Sequence, residues 1–192
     1  GSVGPLAVAP HLVAKLPYDP LKDLAPLTMA VNFPNVLVVH AGVPAKTLAE
    51  YIALAKAKPG SLDYASTGVG SASHLAGELF NQRAGVDIVH IPYKGGGPAM
   101  TDLLGGRVST YYSTHSTAGP HIEAGKLRAI AVTGAKRSSF LPNVPTIAES
   151  GYPGFEASNW YAFVTSAKVP QPILERWNKE LVKALNAPDV KE

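Results

Sequence analysis

The chain has 192 residues, 46% of them hydrophobic and 16% charged, which suits one ordinary globular domain or two small lobes. A formal charge of +3, with 17 basic residues scattered among 14 acidic ones, gives no basic patch or Lys/Arg-rich tail and argues against a nucleic-acid partner. With no cysteine, disulfides, thiolate nucleophiles and thiolate metal sites are excluded and the compartment stays open; the longest apolar runs, such as Val36 to Val39 and Ala129 to Val132, fall far short of the roughly 20 residues that cross a bilayer, and no charged-then-apolar leader opens the sequence, so no membrane insertion is expected.

The first 30 residues are rich in proline and show little periodicity. Val36 to Val39 reads as a strand. Leu48, Tyr51, Ile52 and Ala55 fall at helical spacing behind Thr47, and Glu50 three residues later completes a capping-box signature, with Pro59-Gly60 as the stop. A short strand at Asp63 to Ala65 leads into a helix carrying Leu75, Leu79 and Phe80 on one face and ending at Gly85. Strands follow at Val86 to Ile91, Val108 to Tyr112 and Leu127 to Val132, separated by helices near Pro98 to Leu104 and Thr117 to Ala124. This alternation is the signature of an α/β fold with a parallel sheet covered by helices. From Lys136 to Glu156 the chain is loop-rich, with one short helix at Thr146 to Ser150 and a lobe crossing. After a strand at Trp160 to Thr165, Pro172 suits a first helical position, and Leu174, Trp177, Leu181 and Leu185 form an apolar stripe expected to be core.

The candidate chemistry lies in small-residue loops that leave a strand and open a helix. Ser66-Thr67-Gly68-Val69-Gly70-Ser71-Ala72-Ser73 offers backbone N–H groups, hydroxyls and a helix N-terminus to an anion such as a carboxylate. Plain capping by Ser71 or Ser73 explains the same residues equally well. The pattern recurs in Tyr93-Lys94-Gly95-Gly96-Gly97, where Lys94 could supply charge or simply be solvated, and in Ser113-Thr114-His115-Ser116-Thr117. Two such loops at successive parallel strand ends would face one crevice. Gly1-Ser2-Val3-Gly4-Pro5 looks like a fourth loop, or a cloning remnant.

Enzyme motifs are missing: there is no G-x-S-x-G elbow, H-E-x-x-H or G-x-G-x-x-G, and no phosphate-loop spacing. No catalytic residue, metal site or cofactor is assigned. Only His115 and His121 approach one another along the chain, without a set of metal-ligand spacing; His74 and His90 are expected to bond backbone or neighbouring side chains. A small α/β hydrolase or isomerase would have to rely on Ser113, His115 and Lys94.

Several long motifs in order resemble the tripartite tricarboxylate transporter substrate-binding proteins, also called Bug receptors, across essentially the whole chain. They include Leu16-Pro17-Tyr18-Asp19-Pro20, Pro34-Asn35-Val36-Leu37-Val38-Val39, the Ala65 to His74 loop, His90-Ile91-Pro92-Tyr93-Lys94-Gly95, Pro120 to Ala129 and Leu141-Pro142-Asn143-Val144-Pro145-Thr146. The resemblance implies a type II periplasmic-binding-protein-like α/β receptor of two lobes, closing on a small organic acid in the periplasm and delivering it to membrane permease subunits, or sensing it for a signalling system. It implies lobes divided as 1–35, 36–160 and 161–192, with the second complete and the first partial at both ends. Ser66, Thr67, Gly68, Gly70, Ser71 and Ala72 would seat a carboxylate, bordered by Tyr93, Lys94, Gly95, Ser113 and Thr114, with Ser2, Gly4 and Pro5 facing the ligand from the first lobe. Where the family often has Phe-Asp, this chain reads Tyr112-Ser113, which removes a carboxylate and disfavours an amine-bearing ligand.

Overall fold

The computed structural model describes residues 1–191 and divides the chain into two units, one running from Phe33 to Ser158 and the other made of Gly1–Asn32 with the chain from Asn159 onward.

The 33–158 unit is built on strands β2 (Val36–His40), β3 (Asp63–Ser66), β4 (Val89–Pro92), β5 (Thr110–Ser113) and β6 (Leu127–Val132), in the order β4-β3-β5-β2-β6. Because successive side chains of a strand point to opposite faces, Val36 and Val38 enter one apolar cluster while Leu37 and Val39 enter another. Helices α2 (Leu48–Ala57) and α3 (Ala72–Ala84) cover the Leu37 face; α4 (Gly96–Leu104) and α5 (His115–Glu123) cover the other. Every residue of β2 but the last is therefore buried, which is why its sequence is a continuous apolar run and not an alternation.

The expected α/β alternation is present, but the sheet is mixed. β3 runs parallel to both β4 and β5, whereas β2 is antiparallel to β5 and β6. An apolar run reports burial on both faces and carries no information on direction.

Local signals set the helix ends. Thr47 and Glu50 form the capping box of α2, and Ser71 caps α3 while Gly85, at φ 62°, closes it in the left-handed conformation. Of the expected face of α3, Phe80 is buried and Leu79 packs against the core, but Leu75 is 38% exposed; the buried stripe is Ala72, Ser73, Ala76, Gly77, Phe80 and Ala84. Small residues face the sheet because Tyr64 occupies the space: a Cβ on Gly77 would lie 2.3 Å from its ring. The strand expected from Val86 starts only at Val89, since the Val86 N–H and the Ile88 carbonyl are both engaged by Asn81 of α3. The expected helix at Thr146 to Ser150 is a turn; Thr146 and Glu149 exchange the hydrogen bonds of a capping box, but the backbone of Pro145 and Ile147 is tied to Val132 of β6.

The other unit has a π-helical turn Gly4–Val8, α1 (Ala9–Leu12), a two-stranded sheet of β1 (Leu24–Pro34) and β7 (Ser158–Ser166), α6 (Gln171–Leu185) and α7 (Pro188–Lys191). β1 was not legible because Pro26 and Pro34 read as breakers; a two-stranded sheet leaves one edge of each strand unpaired, where proline is tolerated. None of this unit's described residues is buried, so the stripe on α6 is not core, and Trp177 is 45% exposed.

Candidate anion-binding site

Three loops meet at one edge of the larger sheet. β3, β4 and β5 run in the same direction, so the chain leaves all three at the same edge and enters α3, α4 and α5 there. Proximity is direct for the first two: the Tyr93 N–H donates to the Ser66 carbonyl at 3.0 Å, and a Cβ on Gly68 would come within 3.4 Å of the Tyr93 carbonyl. Gly68 (φ 129°) and Gly70 (φ 79°) hold conformations that favour glycine.

Within Ser66 to Ser73 most donors are already engaged. The Thr67 N–H donates to Ser73 Oγ (3.0 Å), Gly68 N–H to Ser66 Oγ (3.1 Å), Gly70 N–H to His74 Nδ1 (3.1 Å) and Ser71 N–H to the Gly68 carbonyl (3.1 Å). Ser71 Oγ donates to the Gly68 carbonyl at 2.6 Å and accepts the His74 N–H at 3.3 Å. These bonds fix the loop. Among the described residues they leave the N–H groups of Val69, Ala72 and Ser73 without a protein acceptor, the last two at the N-terminus of α3, where the helix dipole is positive. Val69 is 68% exposed at the loop's tip.

The second loop has the same character. Among the described residues, the N–H groups of Lys94, Gly95, Gly96 and Gly97 have no protein acceptor, and α4 carries no side-chain cap. Lys94 is exposed. Tyr93 is held by its hydroxyl, which donates to Asp102 Oδ2 at 2.9 Å; burial and that bond push the phenol up to about 12. Arg107, 2.6 Å from Asp102, and the Tyr93 hydroxyl hold the Asp102 carboxyl below its usual range.

The third loop is shorter than expected because α5 already begins at His115. Ser113 is fully buried, its hydroxyl 3.3 Å from the Thr114 carbonyl. Thr114 Oγ1 lies 3.0 Å from Ser116 Oγ and 2.9 Å from Thr117 Oγ1. Ser2, Gly4 and Pro5 belong to the other unit: Ser2 bridges to Tyr161, Gly4 and Pro5 lie in the π-helical turn instead of a loop, and the Pro5 carbonyl accepts the Tyr18 hydroxyl at 2.7 Å.

Beneath the first loop the structure unites residues that sequence reading left as isolated contacts. His90 Nε2 lies 2.6 Å from Ser66 Oγ, and the rings of His74 and His90 stack with centroids 4.1 Å apart. Burial and His74 lower the His90 pKa, with Glu78 partly opposing. The pair that meets is thus 74 with 90. Parallel pairing of β3 with β4, which sets His90 opposite Tyr64, is the signal that could have revealed it.

The chemistry on offer is recognition of an anion by backbone dipoles. Among the described residues no group of three or more His, Asp or Glu could hold a metal ion, and no helix is long and apolar enough to cross a membrane.

A family model described as "Tripartite tricarboxylate transporter family receptor" matches residues 2–192. BugT of Bordetella pertussis, strain Tohama I, is 41% identical over 191 residues, covering 100% of this chain and 59% of that protein. Among solved structures, R. palustris Rpa4515 with adipate matches at TM-score 0.93 and 34% identity over 99% of this chain and 64% of that one. The periplasmic binding protein BugD matches at 0.90 and 33%, over 99% and 63%. The chain spans about three-fifths of the length of these relatives. The fold is therefore that of the Bug-type periplasmic binding proteins, and the family is one of receptors, not enzymes.

Proposed function

Because this chain belongs to the tripartite tricarboxylate transporter receptor family, we propose that it serves in the periplasm as a receptor for a small organic carboxylate, seated on the loops after β3, β4 and β5 and passed to the membrane subunits of a tripartite transporter. The observation that carries this reading is the convergence of three helix N-termini at one sheet edge, with unpaired N–H groups at Val69, Ala72 and Ser73 and at 94–97. A carboxylate there accepts charge-assisted hydrogen bonds of about 1.5–3 kcal/mol each, and each helix N-terminus adds about 0.3–1 kcal/mol. Three or four such contacts are of the size of micromolar affinity, about −8 kcal/mol. The solved relative carrying adipate supports a diacid. Ser113 offers no anionic partner to an ammonium group, which favours acids without an amine.

Thermal unfolding against adipate, other di- and tricarboxylates and amino acids tests this. A ligand at about one hundred times its Kd stabilises by about 2.7 kcal/mol, so a rise in Tm with dicarboxylates and none with amino acids is the expected result. Ser71→Asp keeps a good N-cap while placing negative charge at the seat. It forfeits the hydrogen bond that the Ser71 hydroxyl donates to the Gly68 carbonyl, so it should lower the Tm of the unliganded protein somewhat while leaving it folded, and lose the ligand-induced rise. Silence from every carboxylate would sink the reading.

A further inference from the structure

The β3–α3 loop is anchored from below by more than a capped turn requires. His74, in the first turn of α3, accepts the Gly70 N–H on Nδ1 at 3.1 Å. His90, on β4, meets Ser66 Oγ through Nε2 at 2.6 Å. The two imidazoles stack at 4.1 Å and 28°, and Tyr64 stacks on His90 at 5.0 Å and 25°. One ring therefore holds the start of the loop and its stacking partner holds the fourth residue on.

We propose that His74 and His90 are positioning residues of the carboxylate seat, a stacked pair that keeps the loop's free N–H groups directed at the ligand only while His74 Nδ1 is unprotonated, so that capture is lost in mild acid. The inference rests on the reading of this loop as the seat.

An acceptor at Nδ1 needs a lone pair. Imidazole gains its second proton between about pH 5 and 8, and a proton at Nδ1 would set donor against donor at Gly70. That N–H would lose its partner, and with it one of the bonds that close the loop onto α3, beside those of Ser71 and Ser73. The groups facing the pair are Glu78 from α3 itself, Tyr64 and Ser66 from β3, and His90 within β4. Glu78 Oε1 lies 4.0 Å from His74 Nε2 and accepts the Tyr64 hydroxyl at 2.6 Å.

Asparagine places an amide oxygen where Nδ1 stands and does not titrate, so His74→Asn separates the acceptor from the proton. Calorimetric titration with adipate at about pH 8 and about pH 5.5 should find His74→Leu, folded by circular dichroism, about tenfold weaker than His74→Asn at the higher pH for the lost bond. The wild type should then lose about tenfold more than His74→Asn on acidification, since both meet the same protonation of the ligand itself. Equal pH profiles for the wild type and His74→Asn, or undiminished binding by His74→Leu, overturn the proposal. The Gly70 amide resonance, followed in unliganded protein, reads the latch without any ligand. It should titrate in the wild type and stay fixed in His74→Asn, and a pH-invariant Gly70 overturns the latch whether or not adipate binds. Adipate silent at every pH with Gly70 titrating as stated would uphold the latch and count against the carboxylate reading instead.

Discussion

Tyr112 is buried on β5 with its ring edge-on to Tyr64 at 5.6 Å, and among the described residues its hydroxyl has no hydrogen-bond partner. Burial raises the phenol well above its ordinary value. An unmade hydrogen bond at a buried hydroxyl costs about 1–3 kcal/mol, whereas the ring contacts do not need the oxygen. Tyr112→Phe should therefore raise stability by about 1 kcal/mol, seen as a higher urea midpoint at unchanged m-value; a lower midpoint would mean that the hydroxyl has a partner after all. At this scale the loop residues were legible because glycine and serine between a strand and a helix have few other uses. Which N–H groups stay free was not, since Ser73 and His74 reach back across the loop to Thr67 and Gly70, and His90 arrives from another strand.

Helix α3 carries the first loop and positions it through one close approach. Tyr64 is buried against Gly77, and a Cβ there would lie 2.3 Å from the ring. Alanine is the better helix former by about 1 kcal/mol, yet overpacking a full core costs about 1–3 kcal/mol, and Tyr64 cannot swing aside without leaving His90 and Glu78. Gly77→Ala should thus lower Tm despite its propensity, and a gain in Tm would refute the packing constraint. Helix starts were readable where the cap could act alone, as at Thr47 and Glu50. The same chemistry at Thr146 and Glu149 produces only a turn, because Val132 holds the flanking backbone and Gly151 and Pro153 follow at once. The face of α3 was legible in Leu79 and Phe80 but not in Leu75: the pattern of large residues points to Leu75, but small residues are what a tyrosine-filled sheet face accepts.

Across the whole molecule, burial is confined to one unit. Every buried side chain among the described residues lies between Asn35 and Phe155, while the other unit leaves Met29, Val31, Phe163 and Trp177 about half exposed. The five strands of the larger sheet were visible in the sequence, but the reversed direction of β2 was not, since direction is set by how the chain enters and leaves the sheet. It enters once and leaves once, near 33 and 158, so that segment is continuous and holds both apolar clusters and all three strand-to-helix loops. Stability should follow the buried apolar area. Residues 33–158 expressed alone should therefore unfold in one cooperative urea transition, at a midpoint close to that of the main transition of the longer chain. In the longer chain, amide exchange should be slowest on β2, β3 and β5 and fastest on α6, whose apolar stripe has no buried partner to oppose local opening. A segment 33–158 without a cooperative transition would show that the two clusters depend on the remainder of the chain.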